Sequence, residues 1–189
     1  MVRLQVFRLH EMIWDGIITS TRQATEPETI FVRFVDRNYP IGSKVHFLDI
    51  GSGRNANHTV WLIHKRGFNV TAIDSAPSAL AHIHQDICSV DSFAPDSFDC
   101  CIDINTLCHV EDPPIEKIKT WLKPGGKFFS MAPTNETVRG HLEGKGYCRC
   151  ATSEQILKLY EPFDHLEIGL SSYPTKAGQI YSWVIEATK

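Results

Sequence analysis

The residues best suited to chemistry surround a short turn, Gly51-Ser52-Gly53, which follows an apolar run. Glycine permits positive φ and lets backbone N–H groups approach a ligand closely. Asp74 lies roughly 20 residues further on, where a carboxylate accepts the hydroxyls of a ribose. Either feature alone is explained equally well as a chain turn or a helix cap. Together, in this order and at this spacing, they predict a site for an adenosine-containing cofactor.

The charge beside the turn indicates which cofactor the site takes. Residues 51–56 satisfy the dinucleotide pattern G-x-G-x-x-G/A, a weak signal on its own for a nicotinamide-binding oxidoreductase. Asp49 stands just before the turn, where its carboxylate would repel a pyrophosphate but receive an ammonium group. A cationic, phosphate-free adenosine ligand therefore suits the site better. S-adenosylmethionine, with S-adenosylhomocysteine as its product, fits that description.

Alternating strands and helices position the turn. In the first half we predict a strand over Val45–Ile50, a helix over Ala56–Arg66, a strand over Phe68–Ile73, a short helix from Ser75 through Ala81 and a weak strand over His82–Asp86. Ala56, Val60 and Ile63 share the apolar face of the first of these helices, which Gly67 ends.

The second half continues the alternation. We predict a strand over Phe98–Ile104, a helix opened by Asp112-Pro113-Pro114, a strand over Lys127–Ala132, a helix from Thr152 to Tyr160, and strands over Phe163–Leu170 and Gln179–Ala187. Thr152 and Gln155 have the spacing of a capping box at the start of the fourth of these elements. The glycines of Pro124-Gly125-Gly126 are expected to end the first of these helices. A turn containing Tyr173-Pro174 is expected between the last two strands.

Strands separated by helices pair in parallel through right-handed crossovers, so the pattern predicts an α/β fold with a doubly wound, three-layer sheet. The last two strands, joined by a turn alone, should be antiparallel. We expect one domain over residues 1–189. It divides into a helical N-terminal extension (1–44, with an amphipathic helix over Thr29–Arg37), a cofactor-binding core (45–132), and a substrate-side loop, helix and hairpin (133–189).

Several ordered motifs resemble those of class I S-adenosylmethionine-dependent methyltransferases, particularly the small tellurite-resistance or generic methyltransferase-domain type. They are Leu48–Gly53, Asp74, Gln85-Asp86-Ile87, Phe98–Ile102 followed by Leu107–Val110, and Leu122–Lys127, which resembles the family's LKPGG turn. The resemblance runs from Val45 to the end of the chain. It implies a Rossmann-like, mostly parallel seven-stranded sheet with an antiparallel C-terminal strand.

The resemblance also implies which residues bind the cofactor. The first motif surrounds the methionine part, Asp74 holds the ribose, and Asp86 contacts the adenine with Ile87 against its ring. The full expected set is Asp49, Gly51, Ser52, Gly53, Asn55, Asp74, Ser75, Asp86, Ile87 and Asn105. Asn55 replaces the third glycine of the first motif, and asparagine is expected to tolerate the left-handed backbone there.

The acceptor side of the site is less well defined by the sequence. Residues 103–106 should face the reactive methyl group, and His109 is the candidate general base, although a histidine that packs a loop onto the sheet is the more common case. Trp14, Tyr147 and Arg149 are candidate substrate residues in the segments that flank the core. No set of cysteines and histidines has zinc-ligand spacing, so we predict no metal.

Composition and net charge limit the kinds of acceptor that the protein is expected to bind. The chain has 189 residues and a net charge of -3, which argues against a nucleic-acid acceptor and leaves room for a small-molecule one. No signal peptide or membrane span is evident, and the six cysteines are expected to be reduced, so we predict a cytoplasmic monomer or homodimer. The alternatives are an NAD(P)-binding oxidoreductase and a non-catalytic S-adenosylmethionine-binding module.

Overall fold

The computed structural model describes residues 26–137, 150–175 and 178–189. In chain order, its helices and strands are α1 (Thr29–Asn38), β1 (His46–Ile50), α2 (Asn57–Trp61, continued by a π-helical turn over Leu62–Arg66), β2 (Asn69–Asp74), β3 (Ile83–His84), β4 (Phe98–Ile104), α3 (Ile115–Trp121), β5 (Leu122–Pro133), α4 (Ser153–Leu159), β6 (His165–Thr175) and β7 (Gly178–Thr188). Short 3-10 turns cover Ile87–Ser89 and Leu107–His109.

The described strands form a seven-stranded sheet in the order β3-β2-β1-β4-β5-β7-β6. β1 pairs in parallel with β2, β2 with β3, and β4 with β5, whereas β7 is antiparallel to both β5 and β6. The doubly wound α/β fold with a mostly parallel sheet is therefore confirmed, as is the antiparallel strand at the C-terminus. The chain divides into two compact units, the first ending at Ser92 and the second spanning Phe93–Lys189.

The core of the first unit is built from α1 and the first two strands. α1 buries Phe31, Phe34 and Val35, which lie at helical spacing. In β1, Phe47 is fully buried and stacks on Phe68, with ring centroids 5.4 Å apart. β1 is thus buried on both faces, as expected of a strand inside a parallel sheet.

The apolar face predicted for α2 is wrong. Val60 and Ile63 are 39% and 38% exposed, and the side chains that turn inward are His58, Thr59 and Leu62. The reason is that two polar side chains of the helix have partners in the interior: Thr59 donates a hydrogen bond to a buried carboxylate, and His58 pairs with Glu28. These two contacts set the rotation of the helix against the preference of its apolar residues.

The short helix predicted from Ser75 is also wrong, because residues 75–79 form turns and bends. The backbone N–H of Ala76 donates to the Asp74 side chain at 2.9 Å, and that of Leu80 donates to the Gly53 carbonyl at 2.9 Å. The Ala76 bond is one that a helix start would also permit. The Leu80 N–H, however, bonds to an acceptor outside the segment instead of to a helical carbonyl.

In the second unit, α3 ends earlier than predicted. It buries Ile115, Ile118 and Trp121, and β5 begins directly at Leu122. The Pro124-Gly125-Gly126 segment is consequently an irregularity inside β5, at a register shift between Phe98 and Cys100 of β4.

The C-terminal part of the second unit follows the sequence closely. α4 begins with the expected capping box, in which Thr152 and Gln155 exchange hydrogen bonds. β6 and β7 form an antiparallel hairpin whose last pair is Thr175 with Gly178. The turn expected at Tyr173-Pro174 is therefore wrong, since both residues belong to β6. Within the residues described, no helix is long and apolar enough to cross a membrane.

Candidate functional site

The glycine turn at the end of β1 has the backbone that the sequence led us to expect. Gly51 and Gly53 have φ of 77° and 68°, values that side chains with a Cβ rarely adopt. The expectation for Asn55 is wrong, because the next left-handed residue is Ala56, with φ of 43°. Ala56 is the residue immediately before α2, so the left-handed backbone lies one position later than the motif suggests.

Asp74, the last residue of β2, holds the turn with both carboxylate oxygens. Oδ2 accepts the backbone N–H of Gly53 at 2.9 Å, and Oδ1 accepts that of Ala76 at 2.9 Å. Burial raises the pKa of Asp74, and these two hydrogen bonds oppose the rise. Each carboxylate oxygen has a second lone pair, so the group retains acceptor capacity for ligand hydroxyls.

Ser52 connects the turn to the segment after β2. Its hydroxyl donates to the Leu80 carbonyl at 3.1 Å, while the Leu80 N–H donates to the Gly53 carbonyl at 2.9 Å. The Ser52 side chain is buried and bonded within the protein. It therefore stabilises the shape of the turn.

Asp49, the penultimate residue of β1, is 2% exposed. Its Oδ2 accepts the Thr59 hydroxyl at 2.6 Å. Burial raises the pKa of Asp49, and the charge of Asp74 raises it further, whereas the nearby charge of His58 and the Thr59 hydrogen bond lower it. A buried anion with a limited set of partners is suited to receiving a cationic group.

The predicted adenine contacts lie further along the first unit. Asp86 is half-buried and caps the 3-10 turn by accepting the Cys88 N–H at 2.9 Å, and Ile87 is buried. Ser75 is half-buried directly after Asp74. Ser75, Asp86 and Ile87 thus lie at the two ends of the short segment that follows Asp74. Their roles in binding a cofactor stay predictions.

In the second unit, a buried carboxylate organises the segment after β4. Asp103 is 1% exposed, and its Oδ1 accepts the N–H groups of Thr106 and Leu107, both at 2.9 Å. Oδ2 accepts the Ser130 hydroxyl at 2.7 Å, and Ser130 Oγ lies 3.0 Å from the Tyr160 hydroxyl. Burial raises the pKa of Asp103 to about 6, while the hydrogen bonds and the charge of His109 oppose the rise.

The two candidate residues of this unit, Asn105 and His109, lie on that segment. Asn105 adopts a left-handed φ of 59°, and its N–H donates to the Met131 carbonyl at 2.9 Å. His109 is half-buried at the end of the 3-10 turn, within electrostatic reach of Asp103. The candidate substrate residues Trp14, Tyr147 and Arg149 lie outside the described residues, as do residues 1–25 of the predicted helical extension.

Sequence reasoning missed two sets of polar residues. One is the His58–Glu28 pair together with Thr59, which donates to Asp49; the other is the two hydroxyls near Asp103, those of Ser130 and Tyr160. The sequence signal for both sets was a polar residue at a position where an apolar one is usual. Asp103 interrupts the apolar run of β4, and His58 and Thr59 are adjacent in the first turn after the glycines.

The chain is similar in fold to several solved methyltransferase structures. Phosphoethanolamine N-methyltransferase 2 of Haemonchus contortus, solved with phosphomonomethylethanolamine and S-adenosylhomocysteine, aligns with a TM-score of 0.69 and 17% identity over 94% of this chain and 56% of that one. This chain thus spans little more than half the length of that enzyme. An S-adenosylmethionine-dependent methyltransferase from Methanosarcina mazei aligns with a TM-score of 0.61 and 18% identity, over 87% and 98% of the two chains.

One solved neighbour carries a different chemical name. The [4+2]-cyclase SpnF aligns with a TM-score of 0.68 and 14% identity over 98% of this chain and 95% of its own. At such identities the likeness shows the fold alone. No curated protein matches the sequence significantly.

The sheet order and these neighbours define the class: this is the Rossmann-like fold of class I S-adenosylmethionine-dependent methyltransferases. Residues 48–130 match the family model described as a methyltransferase domain. The family resemblance seen in the sequence is thereby confirmed. The tellurite-resistance type stays a prediction.

Proposed function

We propose that this protein is an S-adenosylmethionine-dependent methyltransferase that acts on a small-molecule acceptor. The observation that carries the proposal is the pair of carboxylates at the ends of two adjacent parallel strands, Asp49 in β1 and Asp74 in β2, on either side of the glycine turn. In open parallel sheets, ligands bind beyond the carboxyl ends of the strands.

The chemistry of these groups fits the cofactor. The buried Asp49 carboxylate would accept its ammonium group, and the lone pairs left on Asp74 would accept its ribose hydroxyls. Asp86 and Ile87 are proposed to contact the adenine. A dinucleotide fits less well, because a pyrophosphate on the turn would meet the negative charge of Asp49.

The bound cofactor supplies an electrophilic methyl group, whose in-line displacement depends chiefly on positioning. The acceptor-side candidate predicted from the sequence, His109, ends the segment that starts at Asp103 in the second unit. Asp103 fixes the start of this segment through two backbone hydrogen bonds, and His109 is the proposed acceptor of a proton from the substrate. Small amines are the first acceptors to test, since the Haemonchus contortus enzyme was solved with a phosphorylated amine.

Calorimetric titration with S-adenosylhomocysteine tests the cofactor assignment. We expect saturable binding at one site, no competition by NADH, and weaker binding by Asp74→Ala. Absence of saturable binding at millimolar ligand would overturn the proposal. Saturable NADH binding in its place would establish the oxidoreductase alternative.

The cyclase neighbour motivates a second candidate, a cofactor-binding protein that transfers no methyl group. Methyl-labelled S-adenosylmethionine incubated with a panel of small amines and hydroxyl compounds separates the two. Transfer of label to any acceptor, abolished by Asp74→Ala, supports the methyltransferase. Tight cofactor binding with no transfer across the panel supports the second candidate.

A further inference from the structure

A buried polar cluster lies beside the glycine turn, within the first unit. The His58 side chain is 8% exposed, and its Nε2 lies 2.6 Å from Oε2 of Glu28. The Phe31 ring and the imidazole are perpendicular, with their centroids 5.1 Å apart. The imidazole is therefore held in one orientation by a carboxylate and an aromatic ring, both contributed by the start of α1.

The cluster continues to Asp49 through the next residue of α2. Thr59 donates to Asp49 Oδ2 at 2.6 Å, and the charge of His58 acts on the same carboxylate. Three ionisable groups therefore surround the start of α2, namely Glu28 before α1, His58 on α2 and Asp49 on β1. Asp74 on β2 is a fourth group whose charge reaches Asp49.

The electrostatics of the cluster favour a protonated His58 paired with an ionised Glu28. Burial alone would favour the neutral form of His58, but the Glu28 hydrogen bond and the charges of Asp49 and Glu28 raise its pKa above the ordinary value. Burial likewise opposes the Glu28 charge, yet pairing with His58 lowers the pKa of Glu28. With His58 positive and both carboxylates negative, one negative charge of the three groups remains uncompensated, and Asp49 carries it next to the turn.

We propose that His58, held by Glu28, is a positioning residue that keeps the Asp49 carboxylate charged for the ammonium group of the cofactor. The inference rests on the proposed function for the identity of the ligand. Without the imidazolium, only the hydrogen bonds from Thr59 would oppose the effects of burial and Asp74 on Asp49, and its proton would leave at higher pH. Ligands with the amino group should then lose affinity at mildly acidic pH, while adenosine ligands without it should not.

The first experiment needs no ligand. The carboxyl carbon of Asp49, assigned by comparison with Asp49→Asn, is titrated by NMR in the wild type, in His58→Gln and in His64→Gln. His64 is an exposed histidine of the π-helical turn after α2 and provides the matched control. We expect the Asp49 midpoint to rise by about one pH unit in His58→Gln and to stay unchanged in His64→Gln.

A second variant guards against misfolding. Glu28→Gln keeps an oxygen acceptor for the imidazole but removes its charged partner, so it should raise the Asp49 midpoint in the same direction by a smaller amount. An unchanged midpoint in both His58→Gln and Glu28→Gln, or the same rise in His64→Gln, would overturn the proposal.

The second experiment measures affinity against pH for S-adenosylhomocysteine and for 5′-methylthioadenosine, which has no amino group. We expect the acid limb of the homocysteine ligand to move to higher pH in His58→Gln, with no such change for methylthioadenosine. A uniform loss of affinity for both ligands at every pH would show a merely structural role and overturn the proposal. Failure of the wild type to bind either ligand at any pH would instead overturn the proposed function, and with it the role assigned to His58.

Discussion

The Asp74 carboxylate accepts the backbone N–H of Gly53, with 2.9 Å between Oδ2 and the nitrogen. The end of β2 thereby holds the turn at the end of β1, and the same carboxylate turns the chain after β2 through the Ala76 N–H. The side chain proposed to bind the ribose is thus also the side chain that shapes the turn next to it. Loss of the Asp74 charge should therefore affect both ribose binding and the shape of the turn.

Asp74→Asn should weaken S-adenosylhomocysteine binding roughly tenfold to a hundredfold, the range expected when one hydrogen bond to a charged group is lost. The amide keeps one oxygen acceptor but cannot accept from both N–H groups. Isothermal titration calorimetry measures the effect. Asp91→Asn, an exposed aspartate of the same unit, is the matched control and should bind as the wild type does. Equal affinities for the two variants would contradict the assignment.

Asp103→Asn should flatten the pH dependence of stability. The folded-state pKa of Asp103, about 6, lies above its ordinary value of 3.8, so the folded protein binds this proton more tightly than the unfolded chain. Its contribution is therefore fully present below the unfolded pKa and is lost as the pH rises through the folded one, by about 3 kcal/mol at most.

Urea unfolding at a series of values from about pH 4 to pH 7 measures this dependence. Between those limits the wild type should lose more stability than Asp103→Asn does. Asp164→Asn is the control, because the Asp164 side chain is 72% exposed. An identical slope for the wild type and Asp103→Asn would rule out a raised pKa at this position.

The Ser130 and Tyr160 hydroxyls should contribute different amounts to the free energy of unfolding. Ser130→Ala removes a donor from the buried carboxylate and also a partner from the Tyr160 hydroxyl, so we expect a loss of about 2–3 kcal/mol. Tyr160→Phe leaves the Asp103 bond intact and should cost about 1 kcal/mol. Chemical denaturation of both variants, with the exposed Ser172→Ala as control, gives the ranking. A larger loss for Tyr160→Phe than for Ser130→Ala would contradict it.

Gly126→Ala should destabilise the second unit. A Cβ at this position would lie 2.7 Å from the Lys123 carbonyl oxygen and 3.3 Å from that of Asp99, both backbone atoms that cannot move freely. We expect a loss of about 2–4 kcal/mol in the free energy of unfolding. In Gly169→Ala the nearest atom is 4.0 Å away, so this control in β6 should change stability by less than about 1 kcal/mol. Equal thermal midpoints for the two variants would show that the LKPGG segment tolerates a side chain.

Much of the fold could be predicted because its signals are local. The apolar run of β1, the glycines after it and the capping box of α4 each act within a few residues, and the structure has all three where expected. The alternation of strands and helices then restricted the topology to a doubly wound sheet. The residues assigned to cofactor and substrate stay predictions, and so do the domain boundaries.

The sequence by itself determined the order of the elements, the glycine turn and the acidic residues beside it. Only the tertiary structure decided which face of α2 is buried and that residues 75–80 form no helix, because those outcomes depend on the contact of Thr59 with Asp49 and of Leu80 with Gly53. The same holds for the His58–Glu28 pair, whose members are 30 residues apart. Hydrophobic periodicity indicates where apolar side chains can be buried. A buried carboxylate instead needs hydrogen-bond donors, which come from distant parts of the chain, and their positions follow no periodic pattern in the sequence.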